Sequence, residues 1–226
     1  MGSPSIGCDT MIYLYSGTPG SGKSLHIASK MYYWVKGGRG IVTNFDFAYS
    51  NISSRRHAPV LCLDNSSLTP EVLKAFSQEY FKRYKFREGA IKLIVDEAQL
   101  MFNSRDWDKP DRKEWISFFT QHRKYGFDVY LVAQFDNMLD KQIRSLIEYQ
   151  VIHRKVGNFG KFGFLFNLLA GGRLHIAVTV WYPMKVKTYH EFFHARKKYY
   201  SLYDTLNLFN TEESSDGKKV ISCESC

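Results

Sequence analysis

Residues 11–36 read MIYLYSGTPGSGKSLHIASKMYYWVK, and this stretch decides the fold. It opens with the apolar run 11–15 and continues into a loop of Gly, Ser, Thr and Pro. Its last part carries apolar residues at helical spacing. The pattern G-x-x-x-x-G-K-[ST] is met by Gly17, Gly22, Lys23 and Ser24. The stretch therefore predicts a strand, a phosphate-binding loop and a helix, in that order.

The composition of this loop suits an anionic ligand. Backbone N–H groups in such a loop point inward, and the positive end of the following helix adds to their field. Glycines let the backbone approach phosphates and adopt positive φ. We expect Lys23 to reach the β- and γ-phosphates and the Ser24 hydroxyl to bind Mg²⁺. The alternative is a glycine-rich turn without a ligand. The predicted nucleotide-binding residues are Gly17, Thr18, Pro19, Gly20, Ser21, Gly22, Lys23 and Ser24.

A pair of acids supplies the second part of the expected site. Residues 90–100 read AIKLIVDEAQL, and 93–95 have the continuous apolar character of a buried parallel strand. Asp96 is predicted to bind Mg²⁺ at the end of that strand. Glu97 is predicted to polarise the attacking water. The alternative is a pair of solvated carboxylates that cap the next helix.

A third apolar strand is expected over residues 129–133, and it leads into Gln134. This side chain is a candidate to contact the γ-phosphate or the water, with an ordinary strand-end amide as the alternative. The sequence lacks the N-K-x-D motif expected of a GTPase, so ATP is the expected nucleotide. A small-molecule kinase stays open as an alternative, because many such enzymes share this core.

Strand and helix patterns alternate along most of the chain. Apolar runs at 11–15, 41–44, 60–63, 92–95 and 128–133 alternate with helical patterns at 23–36, 69–84, 110–125 and 140–147. This alternation predicts an α/β fold with a parallel sheet flanked by helices. The later runs, 149–156, 173–182 and 186–189, read as strands without helices between them, so we expect antiparallel strands added to the sheet.

The predicted domain organisation follows these changes of pattern. Residues 1–10 are expected to form an irregular leader and 206–226 a flexible tail. The ordered ATPase domain is expected over 11–205, with its core at 11–148 and the antiparallel extension at 149–205.

The excess of positive charge lies mainly in the predicted extension. The net charge of the chain is +9, and residues 149–200 hold nine Lys or Arg against one acid, Glu191. Tyr, Phe and Trp are interleaved with these cations. Nucleic acid or an anionic membrane surface would suit such a segment. The alternative is a solvated face of the extension.

Residues 162–182 are apolar enough to suggest a membrane span. Arg173 within it would cost about 2.5–3.5 kcal/mol at the centre of a membrane helix. The alternation in RLHIAVTVWY, which begins at Arg173, indicates a strand instead. We therefore predict no transmembrane helix in this chain.

Five stretches taken together resemble the zonular occludens toxin (Zot) family. They are MIYLYSGTPGSGKS, IVTNFDF, LIVDEAQLMF, WISFFTQHRKYGFDVYLVAQ and YSLYDT, and the resemblance runs from about residue 11 to residue 205. Proteins of this family are similar to the assembly ATPases of filamentous phages and to hexameric DNA-pumping ATPases. The resemblance implies a P-loop NTPase fold of the RecA and DNA-pump kind, ATP and Mg²⁺ as ligands, and a homo-oligomer such as a hexamer.

The same resemblance implies roles for two further residues. Gln134 matches a glutamine that ends the strand beside the acidic-pair strand. Arg123 matches an arginine that acts on the nucleotide of the neighbouring subunit. The alternative for Arg123 is a helix C-terminal charge favoured by the helix dipole. The expected catalytic residues are thus Glu97, Gln134 and Arg123.

The function implied by the resemblance is an ATP-hydrolysing motor domain for filamentous-phage assembly and export. Its implied location is the cytoplasmic face of the bacterial inner membrane, and its implied partners are phage coat or assembly proteins and single-stranded DNA. Family members usually continue into a membrane span, so we expect a soluble fragment of a membrane-anchored parent protein. Two alternatives stay open: a DNA-packaging or conjugation-type translocase, and a non-catalytic toxin or binding module.

Overall fold

The computed structural model describes residues 10–45, 47–105, 110–158, 174–194, 196–200 and 202. The predicted tail lies outside these ranges, as does the predicted leader except for Thr10. Residues 159–173, within the predicted extension, lie outside them as well.

The described chain alternates strands and helices. The strands are β1 (Ile12–Ser16), β2 (Gly40–Thr43), β3 (Val60–Cys62), β4 (Ile91–Val95), β5 (Phe127–Val132), β6 (Tyr149–Lys155), β7 (Leu174–Trp181) and β8 (Val186–His194). The α-helices are α1 (Lys23–Lys36), α2 (Pro70–Arg83), α3 (Ala98–Met101), α4 (Arg112–Gln121), α5 (Lys141–Ser145) and α6 (Lys197–Tyr200). Single 3₁₀ turns cover Tyr49–Asn51, His122–Tyr125, Asp136–Met138 and Val156–Asn158.

Local chemistry explains the two long helices. Helix α1 follows the phosphate-loop glycines and ends at Gly37, and the next residue, Gly38, has a φ of 69° that suits glycine. Helix α2 begins with Pro70 at its first turn, and the Thr69 hydroxyl accepts a hydrogen bond from the Val72 N–H at 3.4 Å. Both helices were predicted, α1 with the same bounds.

The strands form one sheet in the order β3-β2-β4-β5-β1-β6-β7-β8. The pairings from β3 to β6 are all parallel, whereas β6–β7 and β7–β8 are antiparallel. The predicted α/β fold with a parallel sheet and C-terminal antiparallel strands is confirmed.

Strand β6 differs from its prediction as an antiparallel strand. It pairs parallel with β1, with Tyr149 opposite Tyr13. The chain leaves β5 at the carboxyl ends of the parallel strands, passes through α5 and enters β6 from their amino ends, and such a crossover delivers a parallel strand. The antiparallel part of the sheet therefore starts at the pairing of β6 with β7.

Hydrophobic residues cover both faces of the sheet. One core contains Trp115, Phe118 and Phe119 of α4 with residues of α2 and α5, and the other contains Ile27 and Met31 of α1. Every residue of β4 is buried, as expected of a parallel strand covered on both faces.

No helix in the described ranges is both long and apolar enough to cross a membrane. The stretch that raised this question is strand β7 from Leu174 onward, as its alternation predicted, and residues 162–173 lie outside the description.

The order of the strands determines where the candidate site lies. Strand β5 lies between β1 and β4, so the carboxyl ends of these three parallel strands meet at one edge of the sheet. Ligands of open α/β sheets bind at such an edge. The phosphate loop follows β1 there, and the acidic pair follows β4.

Candidate nucleotide-binding site

The phosphate loop joins Ser16 to Lys23 through three glycines with positive φ. The φ angles are 147° at Gly17, 72° at Gly20 and 93° at Gly22, values that L-residues rarely adopt. A Cβ on Gly17 would lie 2.6 Å from the backbone oxygen of His153, whereas one on Gly20 would meet nothing within 4 Å. Gly17 is therefore required by packing as well as by conformation.

Lys23 folds back over the loop. Its Nζ donates to the carbonyl oxygens of Gly17, at 2.8 Å, and Thr18, at 3.3 Å. Burial lowers the pKa of Lys23, and the nearby carboxylates of Glu97 and Asp96 act in the opposite direction. The ammonium group thus lies inside the loop and within the field of the acidic pair. Ser24, the next residue, lies half-buried in the first turn of α1.

Asp96 is held at the end of β4 by an asparagine. The side chain of Asn44, the residue after β2, accepts from the Asp96 N–H at 2.6 Å and donates to the Asp96 carbonyl at 2.8 Å. These two hydrogen bonds to one residue orient the turn that carries the acidic pair. The sequence prediction missed Asn44; its signal was a polar residue directly after a strand that neighbours β4.

Glu97 has an unusual backbone. Its φ of 46° and ψ of 46° lie in the left-handed region, which costs a non-glycine residue about 1–3 kcal/mol. The exposed carboxylate accepts a hydrogen bond from the side-chain amide of Gln99, which is buried. The amide orients the carboxylate that was predicted to polarise water. Gln99 was also missed, although it belongs to the same D-E-A-Q stretch.

Gln134 contacts the phosphate loop through its backbone. Its carbonyl accepts from the Gly17 N–H at 3.1 Å, at the end of β5. The structure therefore brings Gln134 together with the loop, and the predicted role of its side chain stays a prediction.

Arg123 lies elsewhere. It belongs to the 3₁₀ turn that precedes β5, so it is at the opposite end of this strand from Gln134. Its Nη2 is 3.7 Å from the Glu88 Oε2. The structure does not bring Arg123 to the phosphate loop of its own subunit.

Two histidines, on β6 and β7, contact the backbone of the phosphate loop. His153 on β6 donates through Nδ1 to the Ser16 carbonyl at 3.2 Å, and His175 on β7 donates through Nδ1 to the Ser21 carbonyl at 3.0 Å. Both rings are buried. The sequence prediction missed them because their placement depends on the pairing of β6 with β1 and of β7 with β6.

A family model described as zonular occludens toxin (Zot) matches residues 11–197. The chain belongs to the Zot family. The gene 1 protein of Enterobacteria phage M13 is 26% identical over 223 residues, which cover 90% of this chain and 62% of that protein. The gene 1 protein of Enterobacteria phage I2-2 is 27% identical over 216 residues, or 89% and 58% of the two chains. This member of the Zot family thus spans about 60% of the length of these relatives.

Solved structures share the fold. The genome packaging NTPase B204 from Sulfolobus turreted icosahedral virus 2, in complex with AMPPCP, aligns with a TM-score of 0.53 and 17% identity. The alignment covers 82% of this chain and 99% of that one. Together with the phosphate loop and the strand order, this likeness shows that the Zot-family chain has a P-loop NTPase fold.

Proposed function

We propose that this chain binds and hydrolyses ATP as a motor domain for filamentous-phage assembly and export. The observation that carries the proposal is the location of Lys23 inside a glycine loop and within the field of Asp96 and Glu97. A structural turn would not need a buried ammonium group beside two carboxylates. B204 has the same fold and was solved in complex with AMPPCP, which supports a nucleoside triphosphate as the ligand.

The loop binds the phosphates in this proposal. Its N–H groups and the N-terminal end of α1 attract negative charge. Lys23 exchanges the carbonyls of Gly17 and Thr18 for phosphate oxygens, because a charge-assisted bond to phosphate is stronger than a bond to a neutral carbonyl.

The donor set suits Mg²⁺. The Ser24 hydroxyl and the Asp96 carboxylate are oxygen ligands, which this ion prefers. Bound Mg²⁺ would neutralise charge on the β- and γ-phosphates. Asn44 orients the peptide of Asp96 for this role.

Glu97 is the proposed general base. Its carboxylate is exposed and is oriented by the hydrogen bond from Gln99. It accepts a proton from the attacking water, and the Gln134 side chain, at the adjacent strand end, orients the water or the γ-phosphate.

The role of the whole protein rests on family membership and on the gene 1 relatives from phages. Its proposed setting is a homo-oligomer at the cytoplasmic face of the inner membrane, within a membrane-anchored parent protein. The proposed partners are phage coat or assembly proteins and single-stranded DNA, and the basic charge of the extension suits the DNA. The fold shared with a genome packaging NTPase supports one alternative, a DNA translocase. Stimulation of ATP hydrolysis by double-stranded DNA, with no effect of coat protein, would favour that alternative.

The test is the substitution Lys23→Ala. We expect at least about 10–100-fold weaker ATP binding with Mg²⁺ in isothermal titration calorimetry, because a charge-assisted contact worth about 1.5–3 kcal/mol is lost. Lys36→Ala, at the exposed far end of α1, is the matched control and keeps the affinity of the parent. Unchanged ATP affinity in a folded Lys23→Ala protein, checked by circular dichroism, would remove the basis of the assignment.

A further inference from the structure

Histidines hold both ends of the phosphate loop. His153 binds the carbonyl of Ser16, just before Gly17, and His175 binds the carbonyl of Ser21, just before Gly22. A carbonyl oxygen only accepts, so the Nδ1 of each ring carries the hydrogen. Both donors come from β6 and β7, strands beyond the edge of β1. The antiparallel extension therefore touches the loop directly.

An aromatic column fixes the ring of His175. Phe193 lies opposite His175 in the register of β7 and β8, and the two rings stack with centroids 5.4 Å apart and planes 17° apart. Phe193 also stacks on His26, at 4.6 Å and 21°. His26 belongs to the first turns of α1, and its N–H donates to the Gly22 carbonyl at 2.9 Å. The β7–β8 hairpin is thus packed against the loop and the start of the helix together.

The ring of His175 also lies against Gly22. A Cβ on Gly22 would be 2.8 Å from the His175 Nδ1, and only 6% of the His175 surface is exposed. Burial lowers the pKa of His175, so the ring is neutral at pH 7 and has one N–H donor. Any side chain at position 22 would therefore clash with the His175 ring.

Peptide geometry links this contact to the ligand side of the loop. The Ser21 carbonyl and the Gly22 N–H belong to one planar peptide unit, and in a trans peptide these two groups point in opposite directions. No cis peptide is found in the described chain. Because His175 binds the carbonyl on the hairpin side, the Gly22 N–H is turned away from the hairpin. Within the described ranges, no protein group accepts a hydrogen bond from that N–H.

We propose that His175 is a positioning residue for nucleotide binding, which holds the Ser21–Gly22 peptide so that the Gly22 N–H faces the phosphates. The inference rests on the proposed function, because it assigns the anion that this N–H binds. It also gives the β7–β8 hairpin a role beyond that of a sheet edge: the conformation of the hairpin and the shape of the loop depend on each other.

The test compares His175→Leu with His175→Asn. Leucine keeps apolar volume but has no donor, whereas the Asn side-chain N–H lies near the position of Nδ1. For His175→Leu we expect hydrogen exchange at the loop amides of residues 17–24 to be about tenfold faster without nucleotide. We also expect the Kd for ATP with Mg²⁺ to rise about tenfold, the equivalent of one lost hydrogen bond. His175→Asn should recover most of both effects, and kcat at saturating ATP should change less than Kd.

His190→Leu is the control, since His190 is exposed on β8 of the same hairpin and should leave both measurements unchanged. Should His175→Leu not fold, His175→Gln replaces it, because its amide reaches the position of Nε2 rather than Nδ1. Parent-like affinity in the donor-free variant overturns the inference, as does equal weakening by Asn and by Leu. A parent that binds no ATP overturns the proposed function instead, and the exchange data then show separately whether His175 holds the loop.

Discussion

At the scale of single residues, amide side chains control the acidic pair. Asn44 binds both backbone groups of Asp96, and Gln99 binds the carboxylate of Glu97. Glu97 itself has left-handed backbone angles, a strain of the kind found at functional sites. The surrounding hydrogen bonds maintain this conformation at a cost in stability. They fix the direction of the Glu97 side chain, which a general base requires.

Glu97→Gln separates binding from chemistry. The substitution keeps the size and hydrogen-bonding reach of the side chain but removes the base. We expect ATP affinity within about threefold of the parent and a fall in kcat of about 10²–10⁴-fold, the usual contribution of a general base. Calorimetry and a phosphate-release assay measure the two quantities. Glu71→Gln, on α2, is the control. Near-parental turnover in Glu97→Gln would assign the base to another group.

At the scale of elements, the β6–β7–β8 part of the sheet packs against the phosphate loop. His153 accepts a hydrogen bond at Nε2 from the His26 Nδ1 at 2.8 Å, while its own Nδ1 is bound to Ser16. The His26 Nε2 lies 3.7 Å from Glu191 on β8. A short chain of hydrogen bonds therefore runs from α1 through β6 to the end of β1.

Because of its buried histidines, we expect the protein's free energy of unfolding to fall in acid. Burial lowers the pKa of His153 to about 4, from an ordinary value near 6.5. Between these values the unfolded chain binds a proton that the folded chain does not, so the free energy of unfolding falls as the pH is lowered from about 6.5 to about 4. One such group contributes a slope of up to about 1.4 kcal/mol per pH unit. The titratable groups around His153 are Lys23, His26 and Tyr15 on α1 and β1 and His175 on β7.

His153→Asn tests this slope, because its amide keeps a donor for Ser16 but does not titrate. Urea unfolding at several pH values between 4.5 and 7 should show a shallower pH dependence for this variant than for the parent. His57→Asn, which changes an exposed histidine, should keep the parental slope. Parallel curves for the parent and His153→Asn would mean that His153 is not kept neutral by the fold.

At the scale of the whole molecule, the proposed catalytic groups lie on two edges of one sheet. The phosphate loop, Asp96, Glu97 and Gln134 are at the carboxyl ends of the parallel strands, and Arg123 precedes β5 at the opposite end. The pair of Arg123 with Glu88 is about half exposed, and such pairs contribute about 0–1 kcal/mol. The weakness of this one pair is compatible with the predicted action of Arg123 on a neighbour.

Mixing two inactive variants tests the role of Arg123 between subunits. Arg123→Ala protein keeps an intact phosphate loop, and Lys23→Ala protein keeps an intact arginine. We expect each alone to be nearly inactive and the mixture to regain part of the ATPase activity, because mixed interfaces pair one intact loop with one intact arginine. Light scattering confirms oligomers under the assay conditions. Arg83→Ala is a control for loss of an exposed arginine. An inactive mixture at concentrations where the parent oligomerises and hydrolyses ATP would exclude this role.

The sequence by itself determined the phosphate loop, helix α1 and the α/β class, because these depend on local patterns. The loop requires glycine at set positions, and Gly37 ends the helix where the pattern predicted. The positions of the acidic pair and of Gln134 were also predicted, since each follows an apolar strand, and their catalytic roles stay predictions. Family membership was predicted from the ordered set of motifs and is confirmed by the family model.

Only the tertiary structure decided the direction of β6 and the partners of the site. Parallel pairing of β6 with β1 depends on how the chain crosses the sheet, which no local pattern encodes. The contacts of Asn44 with Asp96 and of His175 with Ser21 join residues 52 and 154 positions apart in the chain. Each of these side chains is an ordinary strand or strand-end residue in the sequence. It gains its role only because strand order brings a distant backbone group within hydrogen-bonding distance.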